Sequence, residues 1–253
     1  MKNKILALSF SLLAFSSSEA LAVTVGPDGY VNAYADLSWE DLAVTGGITA
    51  YDSYSYSSAK TADYYDIALQ ATKVYQYSPA SSVSFAQSII PVGLLEAAKS
   101  VGETTETSII SGSTVQLLQG YYGAYSAEAR SQQGLAYEVT STGTVTFSIP
   151  YFLDVLVEDS YGDNTAEANT RAWSWLSLWS GTKWSVIDST FSEALSGSGI
   201  LSISYEAAAG SFLRFEAGAD SRAQLLNPVP IPPSVLMLLT GCTSLFFLKR
   251  RKS

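Results

Sequence analysis

Histidine does not occur in the 253 residues, and the only cysteine is Cys242. Without an imidazole, no Ser-His-Asp or Cys-His nucleophile system can be assembled, and no histidine-based zinc or iron site. Cys242 lies in an apolar run near the C-terminus, so the body of the chain has neither a disulfide nor a thiol. It has to be held by an ordinary core, and roughly 200 residues suffice for one domain of that kind. Charge is also scarce, at 15% of residues, and basic charge scarcer still. Of 14 Lys and Arg, Lys2 and Lys4 open the chain and Lys249, Arg250, Arg251 and Lys252 nearly close it, which leaves 8; of 23 acids only Glu19 lies near the start, which leaves 22. The body therefore carries 8 basic against 22 acidic residues, a formal charge near −14. That excludes the basic footprint expected of a nucleic-acid binder. It favours a soluble, self-repelling surface able to recruit cations. Carboxylate pairs are the remaining source of acid–base chemistry, so glycoside cleavage is the catalytic alternative.

What is present is clearest at the two ends. Lys2 and Lys4 form a positive n-region, residues 5–15 an apolar h-region, and Ala20-Leu21-Ala22 the small-x-small pattern before a cleavage site. The expectation is a Sec-type signal peptide over 1–22, with signal cleavage read from Ala20 and Ala22 and a mature chain beginning near Val23. At the other end Pro228-Val229-Pro230-Ile231-Pro232-Pro233-Ser234 leads into the apolar run 235–248, which stops against Lys249-Arg250-Arg251-Lys252. Prolines hold the 227–233 linker extended and accessible. As a helix the 14 apolar residues would be about 21 Å long, short against a bilayer core of about 30 Å. A single transmembrane helix there is marginal, as suits a segment handed to a protease and discarded. The basic cluster would stay cytoplasmic and the body outside.

Between the ends the chain reads as all-β. Residues 135–139 and 144–149 alternate apolar with small or polar side chains around a Gly143-containing turn, the pattern of a half-buried hairpin. Pro150 then marks a bulge or an edge, with 151–158 continuing as a more buried strand. Further strands are expected over 30–36, 37–44, 71–77, 171–179, 184–191, 200–207 and 211–219, punctuated by Gly181, Gly197, Gly199 and Gly210. Residues 88–101 are compatible with a strand, a loop or a short helix. Several short strands separated by turn residues define a β-sandwich over 23–226, with the jelly roll as one form of it.

Four features of the chain could carry function. Trp173, Trp175 and Trp179, with Trp184 nearby, share one face of a strand by parity. An exposed aromatic row of this kind stacks on sugar rings, although indoles more often fill a core. Asp159, Asp163 and Asn164 lie around Gly162 and offer oxygen ligands to calcium. They lack the EF-hand spacing, and an ordinary polar turn is the simpler reading. Tyr51, Tyr54, Tyr56, Tyr64, Tyr65, Tyr75 and Tyr77 form either a ligand surface or a set of half-buried strand residues. Gly241-Cys242-Thr243-Ser244 would allow close helix packing in a bilayer. Ser196-Gly197-Ser198-Gly199 reads as a turn, since it lacks the G-x-S-x-G pattern of a nucleophile elbow.

The tail resembles a PEP-CTERM protein-sorting domain of the Val-Pro-Leu-Pro type. By position, Val229, Pro230, Ile231, Pro232, Pro233 and Ser234 correspond to its signature, and Lys249, Arg250, Arg251 and Lys252 to its terminal basic cluster. Ile231 stands where the name-giving form has Glu. The resemblance covers about a tenth of the chain. It implies a Gram-negative bacterium that makes extracellular polysaccharide. It also implies processing by an exosortase after signal peptidase, a transient inner-membrane intermediate, and release to the cell surface or biofilm matrix. With no His or Cys in the body, the expectation is a non-catalytic exported protein without a resident cofactor. The alternatives are a carbohydrate-binding module using the tryptophan row or, less favoured, a carboxylate-based glycan-active enzyme.

Overall fold

The computed structural model describes residues 29–63, 72–92, 95–117, 123–159 and 165–227. The signal segment with Ala20 and Ala22, the sorting motif 229–234, the apolar run and the basic cluster 249–252 lie outside the described residues. So do Tyr64, Tyr65, Asp163 and Asn164.

Among the described residues the chain is all-β, with thirteen strands and no helix. Gly29–Ser38 (β1), Ala43–Thr45 (β2), Ser84–Val92 (β5), Leu95–Thr104 (β6), Ser108–Leu117 (β7), Gly143–Asp159 (β9) and Gly197–Ala207 (β12) form a seven-stranded sheet. Ile48–Asp63 (β3), Thr72–Pro79 (β4), Gly123–Val139 (β8), Thr165–Trp179 (β10), Trp184–Glu193 (β11) and Phe212–Asn227 (β13) form a six-stranded one. The first sheet runs β12-β9-β1-β7-β6-β5, with β2 beside β9, and the second runs β11-β10-β13-β8-β3-β4. The jelly roll has about eight strands in two Greek keys. Here β3–β4, β5–β6, β6–β7 and β10–β11 are hairpins within one sheet.

Several expectations are corrected. Residues 135–149 are not a hairpin: β8 belongs to the six-stranded sheet and β9 to the seven-stranded one. The segment between them carries the chain across the sandwich, so the two apolar faces meet through the core instead of lying side by side. Tyr137 and Phe147 touch across that gap with ring centroids 5.3 Å apart. Residues 37–44 are not one strand, because Leu37 and Ser38 end β1 and β2 begins at Ala43. Residues 151–158 are less buried than 145–149; of them only Leu153 is fully enclosed, and Phe152 and Val157 are exposed. Pro150 sits where β9 changes neighbour, after its register with β2 ends at Ser148 and before that with β1 begins at Tyr151. A residue with no ladder donor fits that gap.

The interior has two kinds of filling. One end is apolar: Phe147 of β9 stacks on Phe215 of β13 at 4.8 Å and 5°, with Trp39, Leu37, Ile109, Leu153, Leu176 and Leu213 around them. Each fully buried side chain of this size contributes about 1.5–3 kcal/mol. Gln133 is buried beside them; with its amide oriented to satisfy both neighbours, its oxygen accepts from Trp39 Nε1–H at 2.9 Å and its nitrogen donates to the Thr105 carbonyl at 3.3 Å. Further along, the filling is Ser, Thr, Ala and Gly. Ser57 and Ser84 hydroxyls lie 2.7 Å apart, Thr61 and Ser88 2.8 Å, and Ser111 and Ser113 reach Ser221 at 2.8 and 2.9 Å. These bonds join the two sheets. The small side chains also let the backbones close up: a Cβ on Gly102 of β6 would lie 2.8 Å from the Arg130 carbonyl and 2.9 Å from that of Ser58. A second, smaller apolar cluster around Val31, Val115, Tyr125 and Leu225 closes the far end.

Candidate functional site

Strand alternation turns one side chain in two away from this interior, and the outward set on the six-stranded sheet is rich in rings and charges. On β10 the inward residues are Ala172, Ser174 and Leu176, all buried. Trp173, Trp175 and Trp179 therefore share the outer face. Cross-strand register extends the row through Trp173 as Phe191, Trp173, Gly218, Gln132, Tyr56 and Tyr77.

Trp173 lies outside the sandwich yet is only 4% exposed. Its indole lies over Gly218, where an added Cβ would come within 2.3 Å of Cζ2. The Arg130 guanidinium covers it at 5.0 Å from the ring centroid, and the Trp175 ring packs 4.4 Å away. The buried indole N–H groups of Trp173 and Trp175 make no well-formed hydrogen bond, although Trp173 is near enough to Asp220 to stabilise its charge. Trp179 is 37% exposed and lies 5.4 Å from Trp184 across the β10–β11 turn. That turn is closed by Ser180 N–H donating to the Lys183 carbonyl, with Gly181 at φ +88°.

Toward residues 58–60 of β3 the outer face is a ladder of ion pairs. Lys60 and Arg222 both reach Glu128 at 3.6 Å, Arg130 meets Asp220 at 3.5 Å, and Arg171 meets Glu193 at 3.4 Å. Burial pushes the Asp220 carboxyl up, and Arg130, Arg171 and Trp173 pull it part of the way back.

Toward the β10–β11 turn the face opens into two adjoining grooves. One, of about 300 Å³, is lined by Tyr51, Asp52, Ala136, Trp179, Trp184, Phe212 and Arg214. The other, of about 380 Å³, is lined by Asp52, Tyr54, Tyr77, Pro79, Ala136 and Arg214 with neighbouring backbone. Both lie near the lower bound of the about 300–1,000 Å³ typical of small-ligand clefts. The hollow follows from small outward residues on the central strand β8. Ala136 forms its floor, and Gly134 lets the Tyr54 ring lie flat, since an added Cβ would meet Tyr54 Cε1 at 2.4 Å. A register shift in β3 between Ala50 and Asp52 inserts Tyr51 as an extra residue. Bulges re-aim side chains in this way, and Tyr51 packs edge-on against Phe212 at 5.7 Å.

Arg214 stands between the grooves. Its guanidinium lies 4.2 Å from the Trp184 ring centroid and 5.8 Å from that of Tyr54. Among the described residues it has no carboxylate within ion-pair distance and no hydrogen-bond acceptor. Partial burial lowers its proton affinity. Glu216 is two residues further along the same face, opposite Trp175 and Gly134. It is 9% exposed, and burial pushes its carboxyl up to about 7.

Asp159 is the last residue of β9, and the other two oxygen ligands expected beside it lie outside the described residues. Among the described residues no three acid or Cys side chains converge on a metal position. No family model, curated protein or solved structure matches the chain. Sequence reasoning missed Arg214, Asp52, Ala136 and Phe212. The available signal was the pairing of small outward residues, Gly134 and Ala136, on a strand flanked by aromatic ones.

Proposed function

We propose that the chain is an exported, non-catalytic protein of the cell surface or extracellular matrix, cut first by signal peptidase and then by an exosortase. The observation that carries this reading is the order of parts in the tail: proline motif, short apolar run, basic cluster. No single part is specific; their sequence is. The run 235–248 acts as a marginal transmembrane helix that holds the body at the outer side of the inner membrane until cleavage, and the body then joins the polysaccharide outside. Intact mass of the mature protein, recovered separately from membranes and medium, tests it. Loss of 1–22 together with a cut between Val229 and Ser234 is expected. A mass that retains 235–253 makes it a tail-anchored envelope protein and removes the exosortase from the account. Polysaccharide hydrolysis by the body, abolished by changing one carboxylate, would overturn the non-catalytic reading.

A second reading is a carbohydrate-binding module. It is favoured by the ring-lined grooves on the outer face of the six-stranded sheet, where exposed aromatic area surrounds a few polar groups. Sugar recognition needs that combination, because pyranose faces are apolar and pyranose edges are hydroxylated. Quenching of tryptophan fluorescence by the polysaccharide of the producing cell tests this reading.

A further inference from the structure

A sugar chain on this face has two aromatic seats, the Trp173–Trp175 pair and the grooves around Arg214; among the described residues the larger cavity of about 960 Å³ beside Lys60, Glu128, Arg130 and Asp220 is lined by no ring. In the first, Trp173 is closed off and only Trp175 is partly exposed. One side of the Trp173 indole packs on Gly218, and Arg130 covers the ring. Sugar stacking would have to displace an arginine already bonded to Asp220.

The second seat is open and already organised. Arg214 is braced by Trp184 and Tyr54 and makes no ion pair or hydrogen bond among the described residues, with Asp52 close enough to act on it electrostatically. A guanidinium fixed in this way loses little entropy on accepting a partner. Asp52, which lines both grooves, supplies the complementary acceptor. Rings stand on either side: Tyr51 (54% exposed) and Trp179 (37%) border one groove, and Tyr77 (59%) the other. A donor and an acceptor between aromatic walls match a hydroxylated ring with apolar faces.

Charge decides which sugars. Among the described residues Arg214 is the one cation lining the two grooves, and Asp52 lies in both. Exposed Glu138 is opposite Phe212, close enough to Tyr51 to interact with it electrostatically. The body around them carries 22 acids against 8 basic residues. A polyanion would meet net repulsion here.

We propose that the paired grooves astride Arg214, with Asp52 as acceptor and Tyr51, Trp184 and Tyr54 as walls, bind a neutral pyranose polysaccharide. This rests on the carbohydrate-binding reading and goes further by assigning the seat and the sugar class. The test is fluorescence titration of the mature protein with cellohexaose, laminarihexaose and chitohexaose as neutral probes, and oligogalacturonate as the anionic one. At least one neutral hexasaccharide is expected to bind with a dissociation constant on the order of 0.1 mM. Arg214→Met, which keeps the stacked stem, and Asp52→Asn, at an exposed position, should each weaken it by about tenfold or more. Trp173→Phe should leave it unchanged. Thermal midpoints of the variants separate lost binding from lost folding. If the cell's own polysaccharide binds but no neutral hexasaccharide does, the proposed sugar class falls while the carbohydrate-binding reading stands; if nothing binds, both fall. Binding that is indifferent to Arg214→Met and Asp52→Asn, or stronger for oligogalacturonate, also overturns the proposal.

Discussion

The four arginines among the described residues all lie on the outer face of the six-stranded sheet, and they are used in two ways. Arg130, Arg171 and Arg222 each meet a carboxylate at 3.4–3.6 Å, and two of them also cover a ring. Arg214 covers two rings and meets no carboxylate. The first three make their end of the face self-sufficient. Exposed pairs of this kind are worth only about 0–1 kcal/mol each, so they cover rings, Arg130 over Trp173 and Arg171 over Phe191, more than they stabilise the sheet. At the other end the same side chain, three outward rows along β13 from Asp220, keeps its donors and adjoins a hollow. One sheet thus carries a half whose arginines are paired, beside a polar cavity of about 960 Å³ that no described ring lines, and a half whose arginine is unpaired beside ring-lined grooves. The difference lies in which outward neighbours are small, Gly134 and Ala136, and which are acidic.

The largest effect separates the unpaired half from the core beneath it. Phe215 and Arg214 are adjacent on β13 and face opposite ways. Phe215→Ala should lower stability by about 3–5 kcal/mol, because Phe215 is fully buried against Phe147 and Trp39. Arg214→Met should cost well under that. Denaturant unfolding of both variants checks the contrast; comparable losses would mean that Arg214 is structural.

A smaller effect comes from Glu216, whose carboxyl burial pushes from the ordinary 4.5 up to about 7. Its surroundings are Trp175 and Gly134 across the sheet and Arg214 and Gly218 along its own strand. The folded chain binds more protons than the unfolded one across that window, so stability falls as pH rises through it. The loss from this group by neutral pH should be on the order of 2 kcal/mol. Asp220, Asp36 and Glu103 are shifted in the same direction by burial. Glu216→Gln should flatten the pH 5–7 part of the stability profile measured by thermal unfolding. An unchanged slope would show that Glu216 is solvated.

The smallest effect belongs to the paired half. Arg130→Met keeps most of the side chain over Trp173 and removes the Asp220 pair, so a change within about 1 kcal/mol is expected, together with brighter or red-shifted tryptophan emission as water reaches the indole. A larger stability loss would mean that the ladder carries more of the fold than its exposure suggests.

Much of the architecture was legible in the sequence. Alternation marks which side chain shares a face with which, so β1, β4 and β10–β13 were readable, as was the common face of Trp173, Trp175 and Trp179. Alternation does not say which sheet a strand joins, and 135–149 was misread for that reason. Nor does it register where the buried face is hydroxylated: Ser55, Ser57 and Thr61 are fully buried in β3, although serine and threonine are usually exposed. Most of β3 and all of β7 are therefore missing from the strands that alternation marks. The grooves were illegible because their walls come from β3, β4, β8, β10, β11 and β13, and only the folded register brings Asp52, Ala136 and Arg214 into one row.

The division of the face is tested most directly by hydroxyl-radical footprinting of the mature protein, read by mass spectrometry with and without the polysaccharide of the producing cell. The account predicts that polysaccharide protects Tyr51, Trp179 and Tyr77 from oxidation, leaves exposed Phe191 and Tyr75 unchanged, and leaves Trp173 poorly oxidised in both conditions. Protection centred on Phe191 and Tyr75, with Tyr51 and Trp179 still reactive, would contradict it.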